Sequence, residues 1–171
     1  MRINIDEKKY MSNLARGILE HLKRFLEEEG LEKTTLVAEF DIGDKQRVDF
    51  AFPNLKEKVF IEVHGQQHFK IVDHWGGAKG LQKRKLLDRH KKEMLDVMFP
   101  DSLLIEFGFK PVSYDEFLFT MGESLERIKK EDIIEIINEK IEHETVKTIK
   151  RTFEKKEIRN RMIETEEPKK R

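Results

Sequence analysis

The chain has 171 residues, which is long enough to bury one substantial core. Its 34 Lys and Arg balance its 34 Asp and Glu, so no overall basic field indicates a nucleic-acid partner, although the charges can still be segregated in space. The absence of cysteine excludes disulfides and thiolate metal sites. We find no signal-peptide pattern and no apolar run long enough for a bilayer, and we therefore expect an intracellular, cytoplasmic protein without a membrane partner.

The first predicted element is an amphipathic helix over residues 11–29. Its apolar residues recur at helical spacing, Ser12 is placed to cap the first turn, and Gly30 is placed to end the last one. A run of β-branched and aromatic residues follows at 34–43. It predicts a strand that ends at a Gly-Asp turn.

The segments QRVDFAF and KVFIEVHG predict the next two strands, joined by a turn at Pro-Asn. In the first of them, alternation predicts that Val48, Phe50 and Phe52 face one side of the sheet and Asp49 the other. The second is almost continuously apolar, which is typical of a central strand.

Residues 66–80 contain three glycines and no clear period, and we predict a loop there. Helical spacing returns over 81–97, and SLLIEFGF at 102–109 predicts a fourth strand. The order helix, three strands, helix, strand indicates the α/β class, with a mixed central sheet flanked by helices.

The character of the sequence changes after Pro111. A helix capped by Ser113 is predicted first, and 129–164 is a highly charged stretch with a narrow apolar stripe. The apolar stripe is consistent with helices packed on the core or on a partner chain. The lysines of the same stretch are consistent with an arm that contacts DNA. We divide the chain into a core at 1–110 and a charged helical C-terminal extension at 111–171.

The residues that best carry chemistry lie in RVDFAF and KVFIEVHGQQH. Asp49 and Glu62 fall on strands that a short turn brings side by side, so the two carboxylates are expected to meet at one edge of the sheet. A divalent cation relieves the repulsion of such a pair, and oxygen-only ligation favours Mg²⁺ or Mn²⁺. A solvated sheet edge is the structural alternative for Asp49.

Two histidines follow the strand of Glu62. His64 shares the face of Glu62, and His68 lies at the carboxyl end of the strand, where it is a candidate for proton transfer or phosphate contact. Asp88 is a candidate hydrogen-bond partner for a histidine. The candidate DNA contacts are Gln66, Gln67, Trp75, Lys85 and Lys91.

These motifs resemble a known family. The order V-D-F, then I-E-V-x-G-x-Q-H, then D-x-x-K-x-x-x-L on a helix is similar to the nucleases of the PD-(D/E)XK superfamily, in the group of the very-short-patch repair endonuclease and the EDxHD phage homing endonucleases. The resemblance covers about residues 12–109. It implies a restriction-endonuclease-like sheet and Mg²⁺-dependent DNA cleavage, in a phage or mobile-element setting.

The resemblance also implies site residues. The family's metal-binding acids correspond to Asp49 and Glu62, its active-site histidine to His68 and its helix-borne acid to Asp88. An acid from the first helix often completes such sites, and Glu20 is the counterpart here, with Glu39 as the alternative.

Two departures from the family limit what the resemblance implies. His64 stands where the general superfamily has a lysine, and the cysteine-containing zinc site of the repair enzyme is absent, so mismatch specificity does not transfer. We expect an endodeoxyribonuclease, dimeric if one site per chain cuts both strands. The alternatives are a non-catalytic DNA-binding or assembly module on the same fold and, ranked lower, a zinc hydrolase that uses His64, His68 and His74.

Overall fold

The computed structural model describes residues 2–4, 11–31 and 34–132. The chain divides into two compact units, 1–132 and 133–171, and all described residues lie in the first. The part of the predicted C-terminal extension beyond residue 132, with the lysines that are candidates for DNA contact, lies outside the described residues. In chain order the elements are β1 (Arg2–Asn4), α1 (Asn13–Glu28), β2 (Thr35–Gly43), β3 (Gln46–Phe52), β4 (Val59–Val63), α2 (Gly77–Met98), β5 (Leu103–Phe107) and α3 (114–132).

The five strands form one mixed sheet in the order β1-β2-β3-β4-β5. The central strands β2, β3 and β4 are antiparallel neighbours, whereas β1 runs parallel to β2 and β5 runs parallel to β4. The prediction of an α/β protein with a mixed sheet flanked by helices is confirmed. Among the described residues, no helix has the length and apolar character needed to cross a membrane.

The predicted helix caps are present in the structure. The Ser12 hydroxyl accepts a hydrogen bond from the backbone N–H of Ala15. At the other end, Gly30 follows the cap residue Glu29, and its φ of 64° is the left-handed value that glycine adopts without strain. At α3, the Ser113 hydroxyl accepts from the N–H of Glu116 while the Glu116 carboxylate accepts from the N–H of Ser113. This reciprocal pair is a capping box.

Two core clusters cover opposite faces of the sheet. The larger one joins α1 and α3 to the sheet through fully buried residues such as Leu22, Phe50, Ile61 and Phe117. The smaller one, which we call the α2 cluster, consists of Ile42, Val48, Ala51, Phe60 and Leu95.

Leu95 is the only buried residue of α2. This helix is therefore held over the sheet mainly by its polar side chains.

The predicted facing of β3 is wrong at Val48, which packs in the α2 cluster instead of beside Phe50 and Phe52. The neighbouring strand β2 changes face in the same way, since Leu36 packs in the larger cluster and Ile42 in the α2 cluster. Between them, Glu39 has a φ of 51°, a left-handed backbone that interrupts the two-residue alternation.

The predicted loop at 66–80 contains two 3₁₀ turns, Gln66–His68 and Asp73–Trp75, and the first turn of α2. The helix begins four residues earlier than predicted because glycines permit its start. Gly76 has a φ of 87°, and a Cβ on Gly80 would lie 2.1 Å from the Trp75 carbonyl oxygen. The glycines that indicated a loop therefore allow the second 3₁₀ turn to pack directly against the first turn of the helix.

Candidate active site

The β3–β4 pairing ends where the two predicted carboxylates meet. Backbone pairing runs from Phe52 opposite Val59 to Phe50 opposite Ile61. At the next position, the N–H of Asp49 donates to Glu62 Oε2 (3.1 Å) and the N–H of Val63 donates to Asp49 Oδ2 (2.7 Å). The carboxylates thus replace the backbone ladder and bring β3 and β4 together through their side chains.

The electrostatics of this pair favour an added positive charge. Burial, then the charge of Glu62, raises the pKa of Asp49 to about 8, and the charge of Glu39 adds to the effect. The Lys91 ammonium, from α2, forms an ion pair with Glu62 Oε1. Asp49 has no such cation among the described residues, and it is the member of the pair that needs a proton or a bound cation.

Replacing Asp49 with asparagine is expected to stabilise the metal-free protein at high pH. The folded-state pKa of Asp49 lies far above the unfolded value near 3.9, so its contribution to stability is complete below about pH 4 and is lost as pH rises through about 8. The asparagine keeps an acceptor for the N–H of Val63 without the charge. We expect a gain in unfolding free energy that is about 1–3 kcal/mol larger at pH 9 than at pH 5.

Urea denaturation in the presence of a chelator measures this gain. Asp96→Asn removes an exposed aspartate of α2 and serves as the matched control. A gain at Asp49→Asn that is the same at both pH values, or a loss at pH 9, is incompatible with a buried carboxylate of raised pKa.

A second group of polar residues lies in a cleft of about 690 Å³ next to α2. His64 Nε2 lies 2.8 Å from Glu106 Oε1, and His68 Nδ1 lies 2.8 Å from Asp88 Oδ2. An ionised carboxylate can only accept, so in each pair the ring nitrogen that faces it carries the hydrogen. The two rings are neighbours, with centroids 4.8 Å apart. Both imidazoles are therefore oriented by a carboxylate.

Glu106 links this cleft to β5. Partial burial opposes its ionisation, but hydrogen bonds from Lys92 and His64 together hold the pKa of Glu106 below its usual value. Glu106 also pairs in register with Glu62 across β4 and β5. The carboxylate pair and the histidine cleft therefore lie side by side on the α2 face of the sheet.

Helix α2 positions both groups through one face. Arg84 donates from Nε to the Gln67 carbonyl (2.9 Å) and from Nη1 to the Trp75 carbonyl (3.0 Å), which fixes both 3₁₀ turns on the helix. Asp88 lies one turn further along and Lys91 and Lys92 one turn beyond that, at the spacing that aligns side chains on a helix. The face that would ordinarily be apolar thus carries the polar side chains of the site.

The structure brings most of the predicted site residues together in two neighbouring groups. One contains Asp49, Glu62 and Lys91, and the other contains His64, His68 and Asp88. Lys91, predicted to contact DNA, has a side chain only 18% exposed because it pairs with Glu62.

Of the other predicted DNA contacts, Lys85 lines the histidine cleft, whereas Gln66, Gln67 and Trp75 are not among its lining residues. Gln66 and Trp75 are exposed, and Gln67 is half-buried in the first 3₁₀ turn.

The two candidates for the additional acid differ in position. Glu20 is exposed on α1, where its carboxylate pairs with Lys23. Among the described residues, no hydrogen bond or ion pair joins Glu20 to either carboxylate of the pair. Glu39 acts on Asp49 electrostatically, because its charge contributes to the raised pKa. The arrangement thus favours the alternative, Glu39, over Glu20.

Three residues of the site, Glu106, Lys92 and Arg84, were not predicted from the sequence to have a role. Glu106 gives the signal that singled out Glu62, a single acid in an otherwise apolar strand, and could have been found by the same reasoning. Lys92 and Arg84 belong to a run of basic residues in which sequence does not distinguish a site residue from a solvated one.

Comparison of the chain with protein-family models, with curated proteins and with solved structures gives no match in any of the three.

Proposed function

We propose that the protein is a metal-dependent endodeoxyribonuclease that hydrolyses DNA phosphodiester bonds with Mg²⁺ or Mn²⁺. The observation that carries the proposal is the meeting of Asp49 and Glu62 at the end of the β3–β4 ladder, beside a histidine held by Asp88. Cleavage of supercoiled plasmid in the presence and absence of the metal tests it.

The carboxylate pair suits a hard divalent cation. Asp49 and Glu62 offer oxygen ligands only. Burial, and then the charge of Glu62, raises the pKa of Asp49, and a cation bound there would offset both effects by stabilising the ionised carboxylate. A Mg²⁺ ion held there would supply positive charge to the scissile phosphate and acidify a water molecule. Lys91, already paired with Glu62, would add a second positive charge near the phosphate.

The histidine cleft supplies proton transfer in this proposal. The hydrogen bond from His68 Nδ1 to Asp88 leaves Nε2 with a lone pair, the form in which an imidazole accepts a proton from water. His64, held by Glu106, lies against the same ring and can contact the charge that develops on the phosphate. Asp88 and Glu106 act as positioning residues.

A basic surface on α2 supports DNA as the substrate. Residues 77–92 contain seven Lys and Arg and one acid, so the neutral chain segregates its charge here. Lys79, Lys83, Lys85 and Arg89 line a second, open cavity of about 570 Å³ on the same helix. Clustered cations of this kind bind phosphodiester backbones regardless of base sequence.

Replacing Lys83 and Arg89 with glutamine is expected to weaken duplex DNA binding about tenfold and to reduce the slope of log K against log salt by about 2, because two phosphate contacts are lost. Fluorescence anisotropy with labelled duplex DNA in a chelator, at several salt concentrations, measures both quantities without cleavage. The control removes two exposed lysines elsewhere, Lys56→Gln with Lys130→Gln. Equal effects of the two double variants would show that α2 is not the binding surface.

The order helix, three strands, helix, strand supports a restriction-endonuclease-like core of the very-short-patch repair group. The phage or mobile-element setting, the cytoplasmic location and a homodimer for double-strand cleavage are parts of the same proposal that rest on the sequence alone. The division into a nuclease core at 1–110 and a C-terminal extension stays a prediction. Residues 114–132 place Phe117 and Met121 in the larger core cluster, so the first part of this extension stabilises the core.

A non-catalytic DNA-binding or assembly module is the second candidate, and Lys91 favours it. An ammonium already paired with Glu62 neutralises half of the carboxylate pair without a metal. The two candidates differ in the response to Mg²⁺. A nuclease should be stabilised against heat by millimolar Mg²⁺, whereas a vestigial site should not.

A further inference from the structure

Three side chains in the histidine cleft converge closely enough to share one cation. One potential ligand atom from each of His64, His68 and Asp88 lies within 4.8 Å of the other two. The three come from separate elements, namely the residue after β4, the first 3₁₀ turn and the middle of α2. His64 is buried and the other two are half-buried, so the group is part of the fold and not a chance contact of exposed side chains.

The hydrogen bond of His64 matches that of a metal-ligating histidine. Such histidines usually donate one ring N–H to a carboxylate, which fixes the tautomer and directs the other nitrogen's lone pair to the metal. His64 Nε2 has this partner in Glu106, which leaves Nδ1 as its ligand atom. His68 Nδ1 instead lies 2.8 Å from Asp88 Oδ2, so a cation that replaced the shared hydrogen would be held by both residues, beside a His64 ring whose centroid is 4.8 Å away.

We propose that His64, His68 and Asp88 form a second cation site that binds a nitrogen-preferring divalent transition metal such as Zn²⁺, Co²⁺ or Ni²⁺. Imidazole nitrogen suits these ions, whereas Mg²⁺ prefers the oxygen ligands of the carboxylate pair. Asp88 supplies the third ligand, where the sequence suggested His74, whose ring instead contacts Trp75. Three protein ligands leave a fourth position open to water or an anion.

The charged residues around the site determine how tightly it is expected to bind a metal. Lys85, Arg89 and Lys92 line the same cleft, and their positive charges oppose a second cation. Glu106 partly compensates, because its carboxylate pairs with Lys92. Because these charges oppose one another, we expect a dissociation constant of about 1 μM for the metal, which is weaker binding than that of a closed structural zinc site.

Occupation of the site has a functional consequence that rests on the proposed nuclease activity. A transition metal bound at His68 Nδ1 leaves the ring hydrogen on Nε2, which can then no longer accept a proton from water, so Zn²⁺ should inhibit Mg²⁺-dependent cleavage. Metal binding itself does not depend on that activity. It can therefore be established even if the protein cleaves no DNA.

The direct test is titration of the metal-free, full-length protein with Co²⁺, followed by its visible absorption, and with Zn²⁺ by calorimetry. We expect one Co²⁺ per chain, with absorption bands typical of coordination by fewer than six ligands. Both His64→Ala and His68→Ala should bind Co²⁺ at least tenfold more weakly, since loss of an outer hydrogen-bond partner alone can weaken metal binding by that factor. His74→Ala and His90→Ala, which remove histidines outside the group, should bind as the wild type does. Thermal melts of each variant establish that it is folded, and His68→Gln provides a variant of similar size.

Glu62→Gln separates this site from the carboxylate pair. It should lose stabilisation by Mg²⁺ while it retains the Co²⁺ bands. Absence of Co²⁺ binding by the wild type, unchanged binding by folded His68 variants, or loss of the bands in Glu62→Gln would each overturn the second site. If Co²⁺ binds as expected and no DNA is cut, the nuclease proposal fails and this one stands.

Discussion

Glu62→Gln is expected to reduce Mg²⁺-dependent DNA cleavage by about 10³-fold or more, the largest effect of any single substitution in the site. Glutamine retains an oxygen that can accept from the N–H of Asp49, so the junction of β3 and β4 is preserved. It removes one of the two metal-binding charges and leaves the Lys91 ammonium without its carboxylate. The chemistry is thus affected far more than the fold.

The measurement combines single-turnover cleavage with thermal melting at increasing Mg²⁺. We expect a loss of rate and a loss of Mg²⁺-dependent stabilisation together, with an unfolding free energy lower by about 1–3 kcal/mol because Lys91 is unpaired. Glu126→Gln, at an exposed glutamate of α3, is the matched control and should behave as wild type. Cleavage by Glu62→Gln at the rate of that control would remove the carboxylate pair from the mechanism.

His68→Gln is expected to slow cleavage about 10²- to 10⁴-fold, the usual contribution of a positioned general acid or base. Asp88→Asn should act in the same direction with a smaller effect, because it leaves the imidazole in place but replaces a carboxylate, which can only accept, with an amide that can also donate, so the tautomer of His68 is no longer fixed. Both variants keep the carboxylate pair. Stabilisation by Mg²⁺ should therefore be retained, the opposite of the Glu62→Gln result.

Cleavage rates in Mg²⁺ alone, after chelator treatment to remove transition metals, provide the measurement for His68. His90→Gln is the control, since His90 is exposed on α2 beyond the cleft. A His68→Gln variant that cleaves normally would limit the histidine to metal binding. A variant that loses both cleavage and Mg²⁺ stabilisation would instead show that the cleft and the carboxylate pair form a single centre.

The helices and strands were predictable because the capping residues and the spacing of apolar residues agree with the observed burial along most of the described chain. Ser12, Gly30 and Ser113 are at helix ends as predicted, and QRVDFAF forms β3 with the predicted bounds. The juxtaposition of Asp49 and Glu62 was predictable too, since a short turn and a two-residue alternation determine which side chains meet across a hairpin.

The remaining features depend on contacts that sequence spacing does not encode. Val48 changes face next to the point on β2 where Glu39, a residue not enriched at positive φ, adopts a left-handed backbone. Helix α2 has one buried residue, so the apolar spacing that predicted the helix did not indicate which of its cations turn inward to Glu62 and Glu106. The start of α2 was missed because its glycines permit close packing against Trp75, whereas in a single sequence they indicate a loop.

Incubation of supercoiled plasmid with the full-length protein, with Mg²⁺ or Mn²⁺ and with chelator, tests the nuclease proposal most directly. We predict nicked or linear products only when the metal is present, and nicked products alone if a single chain acts on one strand at a time. Persistence of intact plasmid, together with intact branched and single-stranded DNA, under every metal condition would contradict the nuclease and leave the DNA-binding module as the function to pursue.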